Sequence, residues 1–390
     1  MDNDPGNDSE ITGGSMGKKT ILTMIILIII IIIAFIIIMS LFLGRRVSVT
    51  IDKNVEGLNA ELQDIFYLAS FSPNSHNTQS WRVTVYPKDN RITLRTDESR
   101  RLQVVDPDNR ELYISLGCYA ETLIQAFAAY GYDTECSYDT NGHQCVISYK
   151  KTGSQPDVER IELIKKRHTD KRPFIDGRSI DKKIFDECLG ETGNICFYDE
   201  SAEDSETIRS ATLSAYKKQA FDKNAADELS VWLRFSDRET LENKDGLPAE
   251  LLGIYGFKKF LYYIFTNHEN AKGDTFASQG VDTCEKQIDN CSGFIIVSGE
   301  NDEASLFECG RETLRLWLAL TKNDSAVQPL SYALEDDEYK RIIASIGAGL
   351  TENDSALPEP QMLLRVGYVE DYGENAGIRR DLSDYIIVED

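Results

Sequence analysis

The chain has 390 residues, with 42 Lys and Arg against 65 Asp and Glu, a formal charge of −23, 41% hydrophobic and 9% aromatic residues. This is a globular composition with enough apolar residues for one large or two ordinary domains, and so acidic a balance excludes a nucleic-acid binder. Asp2, Asp4, Asp8 and Glu10 cancel Lys18, Lys19, Arg45 and Arg46, so the whole −23 falls on residues 47–390 and any anionic ligand must be held by a local basic cluster against the global field.

Residues 1–19 form a polar tail. Thr20 to Gly44 is a run of 25 residues without a charge, twelve of them Ile. As a helix it is about 37 Å long, enough to cross a hydrocarbon core of about 30 Å with some tilt. A buried core helix would keep a polar stripe, and a signal peptide would have an apolar run of roughly 7–15 residues followed by a small-x-small site. The run has neither feature, and the expectation is a transmembrane helix over 20–44 acting as a single-pass anchor. Lys18-Lys19 on one flank and Arg45-Arg46 on the other leave the positive-inside rule tied, so the side on which the domain lies is open.

After the anchor, the apolar spacing predicts a helix over 56–71, then the turn-rich SPNSHNTQS, then strands in WRVTVYP and RITLRTD around the turn KDNR. A long helix starts after Asp106 and stops at Gly131, a hairpin follows over 132–150, and shorter helices are expected over 156–168 and 180–189. Past Ser205 come several helices, a polar stretch and the aromatic helix GIYGFKKFLYYIF. A strand GFIIVSG, a helix SLFECGRETLRLWLAL and a strand MLLRVGYV precede a glycine-rich loop and the pair Arg379-Arg380.

The eight cysteines all lie in the domain. The short-spaced pairs 136/145, 188/196 and 284/291 read either as local disulfides or as reduced thiols. A hairpin turning at Asp139–Gly142 puts Cys136 opposite Cys145. No spacing matches a paired CxxC zinc site, and no metal is expected.

LGCYAETLIQAFAAYG at 116–131 and FECGRETLRLWLALTK at 307–322 align on Cys118/Cys309, Glu121/Glu312, Thr122/Thr313 and Leu123/Leu314. Either two amphipathic helices match by chance, or the chain holds two related halves. The second reading predicts an α+β fold with halves at 47–160 and 161–390, each a mostly antiparallel sheet flanked by helices.

Two segments carry candidate chemistry. Ser72 to Trp81 crowds Ser72, Asn74, Ser75, His76, Asn77 and Gln79 into one turn, where they serve either the local backbone or a flat polar ligand. Arg167-His168-Thr169-Asp170-Lys171-Arg172 is basic within an acidic domain, and is either a solvated helix end or a phosphate clamp of Arg forks, a Lys charge and a Thr hydroxyl. Arg379-Arg380 is a second cationic patch.

Together these segments resemble the nitroreductase family of flavin-dependent oxidoreductases. The run 167–171 is similar to the Arg-His-Ser-x-Lys stretch with which many members hold FMN phosphate, with Thr169 in place of Ser. SPNSHNTQSW resembles the family's Pro-Ser-Ser-x-Asn-x-Gln-Pro-Trp stretch, with Pro73, Asn74, Ser75, Asn77, Gln79 and Trp81 in those places and Ser80 where Pro is usual. The stretch LLRVGYVEDYGENAGIRRDL resembles the C-terminal strand and basic pair, and AVQPLSYA the flavin-face loop without its glycine. The first half has the Asn-Gln segment but no preceding basic run, and the second half has the basic run but no Asn-Gln segment, so one site can be assembled. This is similar to a double-domain subgroup in which one chain mimics the dimer.

The resemblance implies FMN as cofactor. Arg167, His168, Thr169, Lys171, Arg379 and Arg380 would hold the phosphate and ribityl chain, and Pro73, Asn74, Ser75, Asn77 and Gln79 the flavin edge, with no dedicated acid or base because flavin N5 carries the chemistry. NAD(P)H or another reduced donor and an electron-poor quinone or nitroaromatic would be the partners of a monomeric pseudo-dimer anchored in the bilayer. The alternatives are a flavin-holding protein without turnover, its flavin covered by residues 236–290, and an anchored interaction domain without flavin.

Overall fold

The computed structural model describes residues 13–153, 155–181, 183–184, 194–346 and 359–389. The chain divides into two compact units, Met1–Arg46 with Ile254–Phe265, and Val47–Gly253 with Thr266–Asp390.

The first unit is built on α1, Gly13–Leu43. From Gly17 to Leu43 it is long and apolar enough to cross a membrane, and its Ile and Leu side chains from Ile21 to Ile38 are exposed. The other member is a ten-residue aromatic helix, α8, Gly256–Phe265. The two meet through glycines. Gly256 N donates to Gly44 O at 3.2 Å, and a Cβ on Gly44 would stand 2.6 Å from Gly256 O, too close for any other residue.

The second unit carries two sheets. In the first, β1 (Trp81–Tyr86) and β2 (Arg91–Thr96) pair antiparallel across a turn closed by Asn90 at φ 49°, a left-handed position that Asn tolerates. Trp81, Val83 and Val85 are buried and Arg82 exposed, the period-two pattern of a half-buried strand. The hairpin β3 (Tyr132–Asp139) and β4 (Gln144–Lys151) extends one side, and β9 (Ile386–Val388) lies parallel to β1 at the other edge, giving the order β3-β4-β2-β1-β9. The last strand of the chain therefore completes a sheet whose other strands all lie before residue 152. The second sheet is wholly antiparallel, with β5 (Ile195–Asp199), β6 (Gly293–Gly299), β7 (Ala326–Pro329) and β8 (Glu359–Gly367) in the order β5-β6-β8-β7. The expected α+β architecture of two mostly antiparallel sheets flanked by helices is what the chain adopts.

Helix α2 (Ala60–Ala69) starts four residues later than its apolar spacing suggests because the Asn59 side chain caps Leu62 N at 2.9 Å. Helix α3 (Arg110–Ala129) packs on the first sheet and α10 (Glu303–Lys322) on the second, and the two pack on each other. Their close approach rests on Gly117 and Gly310, where a Cβ would lie 1.9 Å from Phe307 O and 2.1 Å from Ile114 O respectively. The aligned stretches of the internal echo are thus the helices that pack the two sheets' layers together. Apolar cores lie under each sheet, around Phe66, Trp81, Leu94, Tyr119 and Phe127 in one and Ile295, Leu314, Trp317 and Leu364 in the other. A third core forms where α5 (Glu203–Ala220) and α9 (Asp274–Asp289) cover Phe294 and Leu330. The remaining helices are α4 (Val158–Lys166), α6 (Lys223–Trp232), α7 (Asp237–Asn243) and α11 (Asp337–Ala344). The helix expected over 180–189 falls mostly outside the described residues.

The cysteine expectations need one correction. The β3–β4 hairpin closes at Asp139↔Gln144, which sets Tyr138 opposite Cys145 and Cys136 opposite Ile147, so the two thiols are diagonal neighbours on one face. Their sulfurs are 3.4 Å apart, a thiol–thiol hydrogen bond and not a disulfide. Cys118, Cys136, Cys145, Cys196, Cys284, Cys291 and Cys309 are free thiols, and Cys188 lies outside the described residues.

Candidate functional site

Three stretches distant in sequence converge at the C-terminal end of α2. The first is the loop 70–80, in which His76, Asn77 and Gln79 all have left-handed backbone angles (φ 48°, 52° and 53°). Each such non-glycine position costs of order 1 kcal/mol, and three in one turn persist only because surrounding bonds hold them. The second is 167–172, leaving α4 at Arg167. The third is 375–380. They meet at the Phe71 carbonyl, which accepts from both Arg167 Nη2 at 2.5 Å and Arg379 Nη2 at 3.3 Å, while Asn375 Nδ2 donates to Arg167 O at 2.7 Å. Of the sequence-predicted residues, Arg167 and Arg379 are therefore brought to one junction on the loop, with Arg379 bonded to Asn77 and Arg380 to Gln79.

Counting donors separates the residues that brace this junction from those with capacity left for a ligand. All five N–H groups of Arg379 are used, on the Ser70, Phe71, Ser72 and Ile378 carbonyls and on Asn77 Oδ1. Arg380 donates to the Gln79 and Asp384 carbonyls at 3.1 and 2.8 Å. The Asn77 amide donates to Gly246 O and Ile378 O, and the Gln79 amide donates to Lys244 O and accepts from Arg380 N. These four side chains hold the loop in its left-handed shape against 244–246 and 378–380. In this arrangement Arg379 offers an anion charge but no free N–H, and Asn77 and Gln79 have no amide group left for a flavin edge. Asn74 is partly engaged, donating to Ser72 O and accepting from Gln79 N at 2.8 Å, and the Ser75 hydroxyl donates to Glu111. Pro73 is half-buried at the head of the loop.

Capacity remains on the other side. Arg167 is buried with its guanidinium 4.7 Å over the Trp317 ring, and its Nη1 has no hydrogen-bond partner among the described residues. Burial lowers its pKa to about 10, and burial together with the neighbouring Arg167 lowers that of Arg379 to about 9. Neither pairs with a carboxylate among the described residues, so two desolvated cations stand side by side, an arrangement that costs several kcal/mol per ion unless an anion joins them. Lys171 is half-buried, its ammonium bonds to no described residue, and desolvation lowers its pKa to about 8. His76 Nδ1 is also buried without a partner among the described residues, and desolvation, opposed by Glu111 and assisted by Lys171, lowers its pKa to about 4. His168 is held by its Nδ1 contact to Lys166 O and its ring contact with Tyr372, its pKa lowered by burial, and Thr169 is half-buried beside it.

Some organising residues were not evident as site residues in the sequence. Arg365 on β8 is fully buried and donates to the carbonyls of Arg172 at 2.6 Å and Gln287 at 2.8 Å and to Gln328 Oε1 at 2.7 Å, and Gln287 in turn donates to Lys171 O. A lone Arg in the apolar strand MLLRVGYV is the one signal that could have marked it. Glu111 on α3 bonds Ser75, Arg110 and Glu335. The Glu335 carboxyl is also bonded by Gln219, and burial, with the Glu111 charge, raises its pKa well above the carboxylate range. Asp106, desolvated near Glu111, is raised to about 6. A cavity of about 340 Å³ opens among Asp106, Arg110, Glu335 and Lys340.

No protein-family model matches the chain. Over 123 residues, 29% of its length, it is 30% identical to two Mycobacterium tuberculosis proteins, from strains CDC 1551 and H37Rv, each named "Putative NAD(P)H nitroreductase". The aligned stretch covers 34% of each, so the chain matches about a third of the length of these curated relatives. Among solved structures it is similar to the FMN-dependent nitroreductase NfnB of Mycobacterium smegmatis in complex with NADPH, at 16% identity and a TM-score of 0.33, over 57% of this chain and 92% of that one. The nitroreductase resemblance carried by the motifs is thus supported by sequence similarity to nitroreductases over part of the chain.

Proposed function

We propose that the chain is a membrane-anchored, FMN-dependent oxidoreductase of nitroreductase type. The observation that carries this reading is the pair of buried guanidiniums of Arg167 and Arg379, which among the described residues have no carboxylate between them and no partner for Arg167 Nη1. A phosphate dianion fits these two cations and this donor. Arg167 and Lys171 would hold the phosphate directly, with Thr169 and His168 beside them. Arg379 would contribute charge, and Arg380, Asn77, Gln79 and Pro73 would fix the loop that presents Asn74 and Ser75 to the flavin edge. FMN, when bound, supplies the hydride-carrying ring, and the side chains bind and orient it.

The composite site would draw on a first half at 47–160 and a second at 161–390, working as a monomeric pseudo-dimer. NAD(P)H would be the donor, and a quinone or nitroaromatic the acceptor. Helix α1 would be the membrane anchor. The test is NADH and NADPH oxidation by the full chain loaded with FMN in detergent micelles, with a quinone as acceptor. Turnover that disappears with Lys171→Ala supports the proposal. A second reading, a flavin-holding protein without turnover, is favoured by the packing of Lys244–Gly246 on Asn77 and Gln79, which covers the loop. Bound FMN without nicotinamide oxidation would establish that reading instead.

A further inference from the structure

We propose that α8 is a second membrane element, a helix lying in the headgroup layer with one face in the upper acyl chains, beside the end of α1. The inference rests on the reading of α1 as the membrane span.

Phe257, Leu261, Ile264 and Phe265 recur at i, i+4, i+7 and i+8, which places them on one face of the helix. Phe257, Ile264 and Phe265 are 54%, 51% and 71% exposed, whereas Lys259 on the opposite face is buried and Phe260, stacked on Phe257 at 5.8 Å, is buried at the border of the apolar face. An outward face so apolar on a helix of only ten residues is the pattern of an interfacial segment.

The position of α8 within its unit identifies the occupant of that face. It docks on the last turn of α1: Gly256 N bonds Gly44 O at 3.2 Å and the Lys259 ammonium donates to Arg45 O at 2.7 Å. The uncharged run of α1 ends at Gly44, and Arg45-Arg46 follow. In a bilayer whose hydrocarbon core is about 30 Å thick, residues at that junction lie at the boundary between acyl chains and headgroups. A helix fixed to Gly44 and Arg45 lies at the same depth. Its Tyr255, Tyr262 and Tyr263 are the residue type that favours this layer, and Lys258 at the edge of the apolar face can reach the phosphates with its stem along the lipid. The apolar surface of α8 is continuous in kind and in place with that of the span, and the partner that covers the one covers the other.

The full chain is reconstituted in phosphatidylcholine vesicles doped with a lipid bearing a photoactivatable diazirine on its upper acyl chain, irradiated, digested and mapped by mass spectrometry. Lipid adducts are expected on 255–265 as well as on 20–43. In Phe257→Ser/Phe265→Ser, adducts on 255–265 are expected to fall at least tenfold relative to those on 20–43. Adducts confined to 20–43 overturn the proposal and leave the anchor standing. Adducts on neither segment overturn both. Protein–protein cross-links through 255–265 without lipid adducts overturn it in favour of a second copy on that face.

Discussion

Replacing Lys171 by Met should move two properties in opposite directions. In the ligand-free chain the Lys171 ammonium is desolvated without a compensating partner among the described residues, which lowers its pKa from 10.5 to about 8. A lowered lysine pKa means that folding disfavours the charged form, so the penalty is fully present below pH 8 and disappears as pH rises from about 8 to 10.5. The corresponding cost near pH 7 is about 3 kcal/mol. Lys171→Met removes this cost, and the ligand-free chain should resist urea better at pH 7 and lack the stability rise above pH 8. The same substitution removes a charged donor from the proposed phosphate site, worth about 1.5–3 kcal/mol, or roughly ten- to hundredfold in FMN affinity. Urea denaturation with and without FMN, together with FMN titration by flavin fluorescence, reads both effects in one preparation. An unchanged FMN affinity, or a ligand-free chain made less stable, would refute the reasoning.

Arg379→Met takes the donor from Ser70 O and Asn77 Oδ1 among its five acceptors, and should destabilise the ligand-free chain by about 3 kcal/mol, read as a lower urea midpoint; an unchanged midpoint would show that the guanidinium is not the brace of the loop. Gly310→Ala places a methyl 2.1 Å from Ile114 O and should cost about 3 kcal/mol by parting α3 and α10, whereas Gly153→Ala, with open space around its Cβ position but φ +86°, should cost only the strain of a left-handed alanine, about 1 kcal/mol. Glu335 holds its proton in the folded state far above the ordinary 4.5, so stability should fall as pH rises from 4.5 toward neutrality, and Glu335→Gln should flatten that slope in a pH series of denaturation curves.

Much of the scaffold was legible because it follows local rules. The uncharged run of α1, the alternation in β1 and β2, and the long apolar periods of α3 and α10 each fix an element without reference to the rest of the chain. What stayed hidden depends on long-range pairing. The three residues of β9 carry too little pattern to show that they would join β1 rather than β8. The hairpin around Asn141 could pair in either of two registers two residues apart without moving any side chain to the other face, so alternation did not choose its register. In the candidate site the residue types and segments could be read, but not how each side chain divides its hydrogen bonds. Asn77, Gln79 and Arg379 have the chemistry of ligand contacts, and only their packing against 70–72, 244–246 and 378–380 shows that their groups are taken. Glu111 and Glu335 are 224 positions apart, and nothing in either neighbourhood signals that one proton serves both.

The most direct test of the account is the visible absorbance of the purified full chain after mixing with FMN and removal of free flavin. The account predicts flavin bands at close to one FMN per chain, reduced in Lys171→Met at limiting FMN. A chain that stays colourless after FMN addition would contradict it.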